Sequence, residues 1–279
     1  MPYEYELLNV VKQGRIATVT VSNPPINLIT LQLFGELSAL SRELKADPDV
    51  AVVILQSADP DFFLAHFDVE TLLSFPSDGE AERDPEPNEY HLMCERFRTM
   101  DKVTIARIEG RVGGGGSELA ASFDMRFGVR GRTRINQMEV PLGILPGGTG
   151  TQRLPRLVGR ARALEIILGG DDLDAETAER WGYLNRIFEP EAIGPFVEAL
   201  AARIASFPVE AVRLAKEAVN GAEQPLPDGL VDEAYLFQRL LRTAGARRNM
   251  TRFLEIGGQT RDGELRVGEL AGKLGDPQR

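Results

Sequence analysis

Gly110-Arg-Val-Gly-Gly-Gly-Gly-Ser-Glu-Leu119 is the stretch on which the reading of this chain turns. An apolar β run, Val103 to Ile108, leads into four consecutive glycines and then a carboxylate. Without a Cβ, glycine lets the backbone come close to a ligand. Ser117 to Phe123 is predicted helical, so the loop ends at a helix N-terminus, where free N–H groups and the helix dipole favour negative charge. That arrangement is suited to an oxyanion. Glu118, one turn inside, is placed to move a proton on a bound molecule. Two other readings stand beside this one: the glycines as a flexible turn, and Glu118 as a first-turn acid favoured by the dipole. A phosphate loop is disfavoured, because Ser-Glu and not Lys-Ser/Thr follows the glycines. A nucleophile elbow fails because position 119 is leucine where glycine is needed.

Composition narrows the classes. With 279 residues the chain is one large domain, or one domain with an appendage, and needs no staples to build a core. Cys94 is the only cysteine, so an internal disulfide is excluded, which fits a reducing, cytoplasmic setting. Tyr3 to Val10 is interrupted by Glu4, Glu6 and Asn9, unlike a signal peptide, and no apolar run is long enough for a bilayer. The formal charge of −10 speaks against nucleic acid as a partner, and two histidines with one cysteine leave little material for a zinc site.

Strand and helix signals interleave up to about residue 190. Arg15–Val21 alternates as a half-buried strand, and Val50–Leu55, Val103–Ile108 and Met125–Val129 read as further strands. Leu31–Leu44, Tyr90–Met100, Ala161–Leu168 and Ala175–Trp181 carry helical spacing, and Asp68 is the expected N-cap of a short helix through Leu73. Ser77–Glu89 is acidic, contains prolines and lacks an apolar period; it reads as a surface lid or a plain linker. Beyond Ala192 the chain is predicted helical, with breaks near Pro208 and Pro225–Gly229. An α/β core over residues 1–190 with a helical region over 191–279 is expected.

Three blocks in order resemble the crotonase superfamily of enoyl-CoA hydratases and isomerases. They are Phe63-Leu64-Ala65-His66-Phe67-Asp68, Gly110 to Ala120, and Gln137 to Arg153 with Glu139, Gly143, Pro146-Gly147-Gly148 and Thr151-Gln152-Arg153. The resemblance covers roughly residues 10 to 220 and implies a spiral of ββα units, then helices that build homotrimers, often paired into homohexamers. It implies a coenzyme A thioester as substrate, with no tightly bound cofactor. It implies that the N–H groups of Phe67 and Gly115 form an oxyanion hole and that Ala65, His66, Phe67, Asp68 and Gly114 border the bound CoA thioester. The carbonyls of Ala65 and Phe67 are implied as acceptors for its adenine amine.

Glu118 and Glu139 align with the two glutamates of hydratases in that family. Hydration across an activated C=C bond needs a base for water and an acid for the α-carbon, and two carboxylates around one water can share those tasks. The assignment favoured here gives Glu118 the water and Glu139 the α-carbon. Taken alone, Glu139 also reads as a surface carboxylate before Val140-Pro141. Isomerisation along the acyl chain needs only the acid at position 139. A third reading is a non-catalytic binding or assembly module whose pocket is filled by His66 and Phe67, which stand where the family has small residues. His66 is expected in a positional role, with phosphate binding or proton transfer as alternatives. His91 is expected on a helix surface or lining the pocket, and Cys94 as a buried small residue. Arg247 and Arg248 read as a solvated helix face or as partners for CoA phosphates, and the residues beyond Gly257 as a loose or draped polar tail.

Overall fold

A computed structural model describes residues 3–206, 209–221, 234, 237–238 and 240–274. Three ββα units form its centre. The first comprises β3 (Val52–Ser57), β4 (Phe62–Leu64) and the helices α2 (Val69–Leu73) and α3 (Glu89–Thr99). The second is β5 (Val103–Ile108), β6 (Arg111–Gly113) and α4 (Gly114–Ala121). The third is β7 (Met125–Val129), β8 (Arg134–Asn136) and α5 (Gly150–Val158). The first strand of each unit enters a six-stranded sheet and the second enters a four-stranded sheet, so the chain winds as the expected crotonase-like spiral.

The larger sheet is completed by β1 (Leu8–Gln13), β2 (Ile16–Val21) and β10 (Arg186–Phe188), in the order β1-β2-β3-β5-β7-β10. Only the β1–β2 pair is antiparallel. Both faces of its centre are covered, which explains the unbroken apolar run of β3. Val53 and Leu55 face a core shared with α1 (Leu31–Ala46), while Val52 and Ile54 face Ile193, Val197 and Ala201 of α8 (Pro190–Ala205). The smaller sheet runs β4-β6-β8-β9, with β9 at Leu173–Asp174. Helices α6 (Arg160–Gly169) and α7 (Ala175–Trp181) flank it in sequence, and α9 (Val209–Gly221) follows α8.

Strands β2, β3, β5 and β7 and the helices α1, α3, α6 and α7 lie within two residues of their expected positions, whereas β1 and β10 carried no expectation. Two expectations are corrected. Helix α4 begins at Gly114 and not at Ser117, so three glycines are helical. Their poor helix propensity is overridden by close packing: a Cβ on Gly116 would sit 2.5 Å from the Leu64 carbonyl oxygen, and all eight residues of α4 are buried. Residues 258–274 are also no loose tail. Past α10 (Ala244–Glu255) they form α11 (Arg261–Glu264) and α12 (Val267–Gly272), which bury Glu264, Val267 and Leu270. The breaks expected at Pro208 and 225–229 lie outside the described residues. No described helix is long and apolar enough to cross a membrane.

Candidate active site

The first glycine run delivers a helix N-terminus to the floor of a cavity. Gly113 precedes α4 without a side-chain cap, and Gly114 turns the chain at φ +45, a left-handed value that favours glycine. The first-turn N–H groups of a helix have no acceptor within it. Opposite lies the loop after β4. It is tied to residue 29 on both sides of Phe67: Ile29 N–H donates to the His66 carbonyl (2.9 Å), and Asp68 N–H donates to the Ile29 carbonyl (3.1 Å). A Cβ built on Gly115 would lie 3.6 Å from the Phe67 nitrogen. The two N–H groups expected to act together are therefore neighbours.

Glu118 and Glu139 line the same cavity, 3% and 7% exposed. The surface reading of Glu139 is thereby corrected. Glu118 Oε1 accepts hydrogen bonds from the N–H groups of Gly148 (2.9 Å), Thr149 (3.0 Å) and Gly150 (2.8 Å). These groups form the start of α5, so the Glu118 carboxylate lies at that helix's positive end. Charge-assisted bonds of this kind favour the ionised carboxylate. The second glycine stretch, Gly147–Gly150, thus has a task that the sequence did not disclose: it holds Glu118. Glu139 approaches from the turn after β8, near Gly114, where a Cβ would come 3.2 Å from Glu139 Oε1.

Tyr90 is a site residue missed by sequence reasoning. Its hydroxyl donates to the Gly115 carbonyl (2.7 Å), and its ring lies edge-on to Phe67. Burial, with Cys94, Glu118 and Glu139 nearby, raises its pKa well above the phenol value, so it stays a neutral donor. Its only sequence signal was helical spacing. The cavity measures about 260 Å³, and its apolar wall includes Phe34, Leu72, Phe75, Leu142, Ile144 and Phe237. It is open, which removes the ground for a pocket filled by His66 and Phe67.

The remaining expected residues are placed as follows. Asp68 caps α2, accepting from Glu70 N–H (3.2 Å) and Thr71 Oγ1 (2.7 Å). Ala65 is buried, and its carbonyl packs so closely on Gly113 that a Cβ there would come within 2.6 Å. The Phe67 carbonyl accepts from His66 Nδ1 (2.8 Å). His66 Nε2 meets Glu264 Oε1 at 2.8 Å. Both ring nitrogens face oxygens, an arrangement that suits an imidazolium. Burial pulls its pKa down, but the Glu264 charge and hydrogen bond, with the Phe67 carbonyl and Asp68, leave it raised.

His91 is not at the surface. It is fully buried, and Nε2 donates to the Gly147 carbonyl (2.9 Å), steadying the loop that holds Glu118. Cys94 is buried as expected, and burial pushes its thiol pKa far up. Arg247 is not purely solvated: it donates to the Leu73 carbonyl (2.5 Å). The 77–88 stretch has no regular secondary structure and ends at Asn88, whose side chain caps α3. Among the described residues no cluster of three or more His, Cys, Asp or Glu is arranged for a metal ion.

Known proteins share this arrangement of sequence and fold. A family model described as enoyl-CoA hydratase/isomerase matches residues 11–260. A "probable enoyl-CoA hydratase" of Mycobacterium leprae is 31% identical over 254 residues, which span 90% of this chain and 96% of that protein. The short-chain-enoyl-CoA hydratase of Clostridium acetobutylicum is 32% identical over 258 residues, covering 90% and 96% of the two. Among solved structures, a Streptomyces avermitilis protein described as a candidate enoyl-CoA hydratase superposes with a TM-score of 0.87 at 32% identity, over 97% of this chain and 99% of its own.

Proposed function

The chain belongs to the enoyl-CoA hydratase/isomerase family, and from that premise we propose that it adds water across the C2–C3 double bond of a 2-enoyl-CoA thioester. The observation that carries this reading is the meeting of Glu118, Glu139, Gly115 and Phe67 in one cavity. Water attacks C3 and gives a proton to Glu118. The electron pair of the double bond moves toward the thioester oxygen, where the Phe67 and Gly115 N–H groups stabilise the enolate; a single such donor contributes roughly 3 kcal/mol. Glu139 then protonates C2, and the product is a 3-hydroxyacyl-CoA. Division of labour between the acids follows from their surroundings. Three N–H donors favour Glu118 as the ionised member and hence as the base. The apolar wall suits the acyl chain.

Crotonyl-CoA and longer 2-enoyl-CoAs are the substrates to try, following loss of the conjugated thioester absorbance. Absence of turnover with all of them would remove hydration from consideration. One observation favours a second reading, isomerisation of a 3-enoyl-CoA by Glu139 alone: Glu118 Oε1 is already committed to α5. Activity that survives Glu118→Gln would select it. The helical region beyond residue 190 is read as the part that builds a homotrimer or homohexamer, which sedimentation equilibrium tests directly.

A further inference from the structure

The loop that carries the Phe67 N–H is held from a second direction by residues far away in sequence. Gln259, in the turn between α10 and α11, accepts from Val69 N–H through Oε1 (2.7 Å) and donates from Nε2 to Asp68 Oδ1 (2.5 Å). Five residues on, Glu264 is 1% exposed and holds the imidazolium of His66, itself 2% exposed. Glu264 Oε1 also accepts from the Gln259 N–H (2.7 Å), so the two anchors are one unit. His66 passes the hold on through its Nδ1–H to the Phe67 carbonyl. Residues 66, 68 and 69 are thus each fixed from the C-terminal side, while Ile29 fixes residues 66 and 68 from the other. Between these fixed points sits the peptide N–H of Phe67.

The turn itself is built for this geometry. Gln259 stands at φ +59, a left-handed conformation unusual for a residue with a side chain. Gly263 lies so close to the Gly257 carbonyl that a Cβ would come within 1.9 Å of its oxygen. The Phe253 ring of α10 stands edge-on to His66, 5.7 Å between centroids. A buried ion pair adds little to stability by itself, and its attested use is to specify one arrangement over others.

We propose that Gln259 and Glu264, acting through His66 and Asp68, are positioning residues for the oxyanion hole: the C-terminal turn sets the direction of the Phe67 N–H toward the thioester oxygen. The inference rests on the reading of Phe67 and Gly115 as the donors to that oxygen. A donor displaced by a fraction of an ångström loses transition-state stabilisation while the acyl and CoA contacts persist. The turn should therefore govern kcat more than binding.

The test uses butyryl-CoA labelled with ¹³C at its carbonyl, which cannot be hydrated, bound to the full-length protein. Isotope-edited infrared spectroscopy reads the hydrogen bonding of the thioester oxygen directly. The wild type should lower the carbonyl stretching frequency on binding. Glu264→Gln and Gln259→Gly should each lower it less, with kcat toward an enoyl-CoA reduced roughly tenfold. KM should stay within about twofold and the affinity for free CoA, which has no carbonyl at this place, should not change. Gln259→Gly relaxes the left-handed residue and leaves the His66–Glu264 pair intact, so it decides the matter if Glu264→Gln folds poorly. Folded variants with a wild-type frequency shift and wild-type kcat overturn the proposal. A fall in thermal stability alone, with the spectrum unchanged, overturns it equally. If the wild type itself shows no lowering, the oxyanion hole fails and the positioning role fails with it, a result distinct from the other two.

Discussion

Helix α4 follows Gly113 and helix α5 follows Thr149, neither with a side-chain cap, and both begin in a glycine-rich stretch. Their first-turn N–H groups meet different things. Those of α4 border the cavity beside Phe67, while those of α5 converge on the carboxylate of Glu118, a residue of α4. One helix start opens its partial positive charge onto the cavity; the other offers it to a side chain that lines the same cavity. The difference shows that a glycine-rich helix start is defined by what stands opposite it, and local sequence does not contain that information.

The largest test of this contrast is Glu118→Gln. The amide oxygen still accepts the three N–H groups, so the fold should persist, while hydration should fall by about 10²- to 10⁴-fold. Enoyl-CoA turnover, with circular dichroism as the control, checks this; full activity would break the assignment of α5 as the holder of a base. Next come methyl groups placed at each helix start. Gly115→Ala puts a carbon 3.0 Å from the Tyr90 hydroxyl and 3.6 Å from the Phe67 nitrogen, one of the two proposed donors. Gly148→Ala puts one 2.5 Å from Glu118 Oε2. Each should lower kcat on the order of 10- to 100-fold. They should separate in the carbonyl spectrum of a bound acyl-CoA, which Gly115→Ala disturbs and Gly148→Ala spares.

A smaller effect is expected where glycine serves the fold. Gly116→Ala would press on the Leu64 carbonyl and Cβ, at 2.5 and 2.6 Å, at a cost of about 1–3 kcal/mol. Urea unfolding measures it, and no loss would mean that α4 has room to shift. The smallest concerns pH. The His66 pKa is raised in the folded state by Glu264, the Phe67 carbonyl and Asp68, against burial; the Glu139 carboxylate lies across Gly114. A raised pKa means that its stabilisation is complete below the unfolded-state value and lost as pH rises through the folded-state value. Unfolding free energies of wild type and His66→Gln should therefore converge on the alkaline side, and parallel curves would contradict the imidazolium.

The sequence disclosed more of the scaffold than of the site's support. Strands such as β3 and β5 are continuous apolar runs, and helices α1 and α7 carry clear spacing, so their positions were legible. The strands β4, β6 and β8 span three residues each, too few to show any period. They exist because the neighbouring ladders exist. Glu118 and Glu139 could be named from their motifs, whereas the use of Gly148–Gly150 to hold Glu118 required the distance between residues 30 positions apart to be known. His91 was misplaced because a lone histidine in a helix gives no sign of which carbonyl it will meet. His66 looked like an obstruction until its partner, Glu264, was found 198 positions downstream.

That separation bears on when the protein becomes competent. Translation delivers both acids and both glycine runs well before residues 259–264 emerge, and contacts of such long range form late in folding. A nascent chain halted short of this turn would hold the reacting groups, with the loop that seats the thioester oxygen still unbraced on one side. On the proposed reading full activity would come only as the final helices dock, so a chain clipped after α10 is expected to turn over an enoyl-CoA more slowly, with its chemistry-bearing residues untouched.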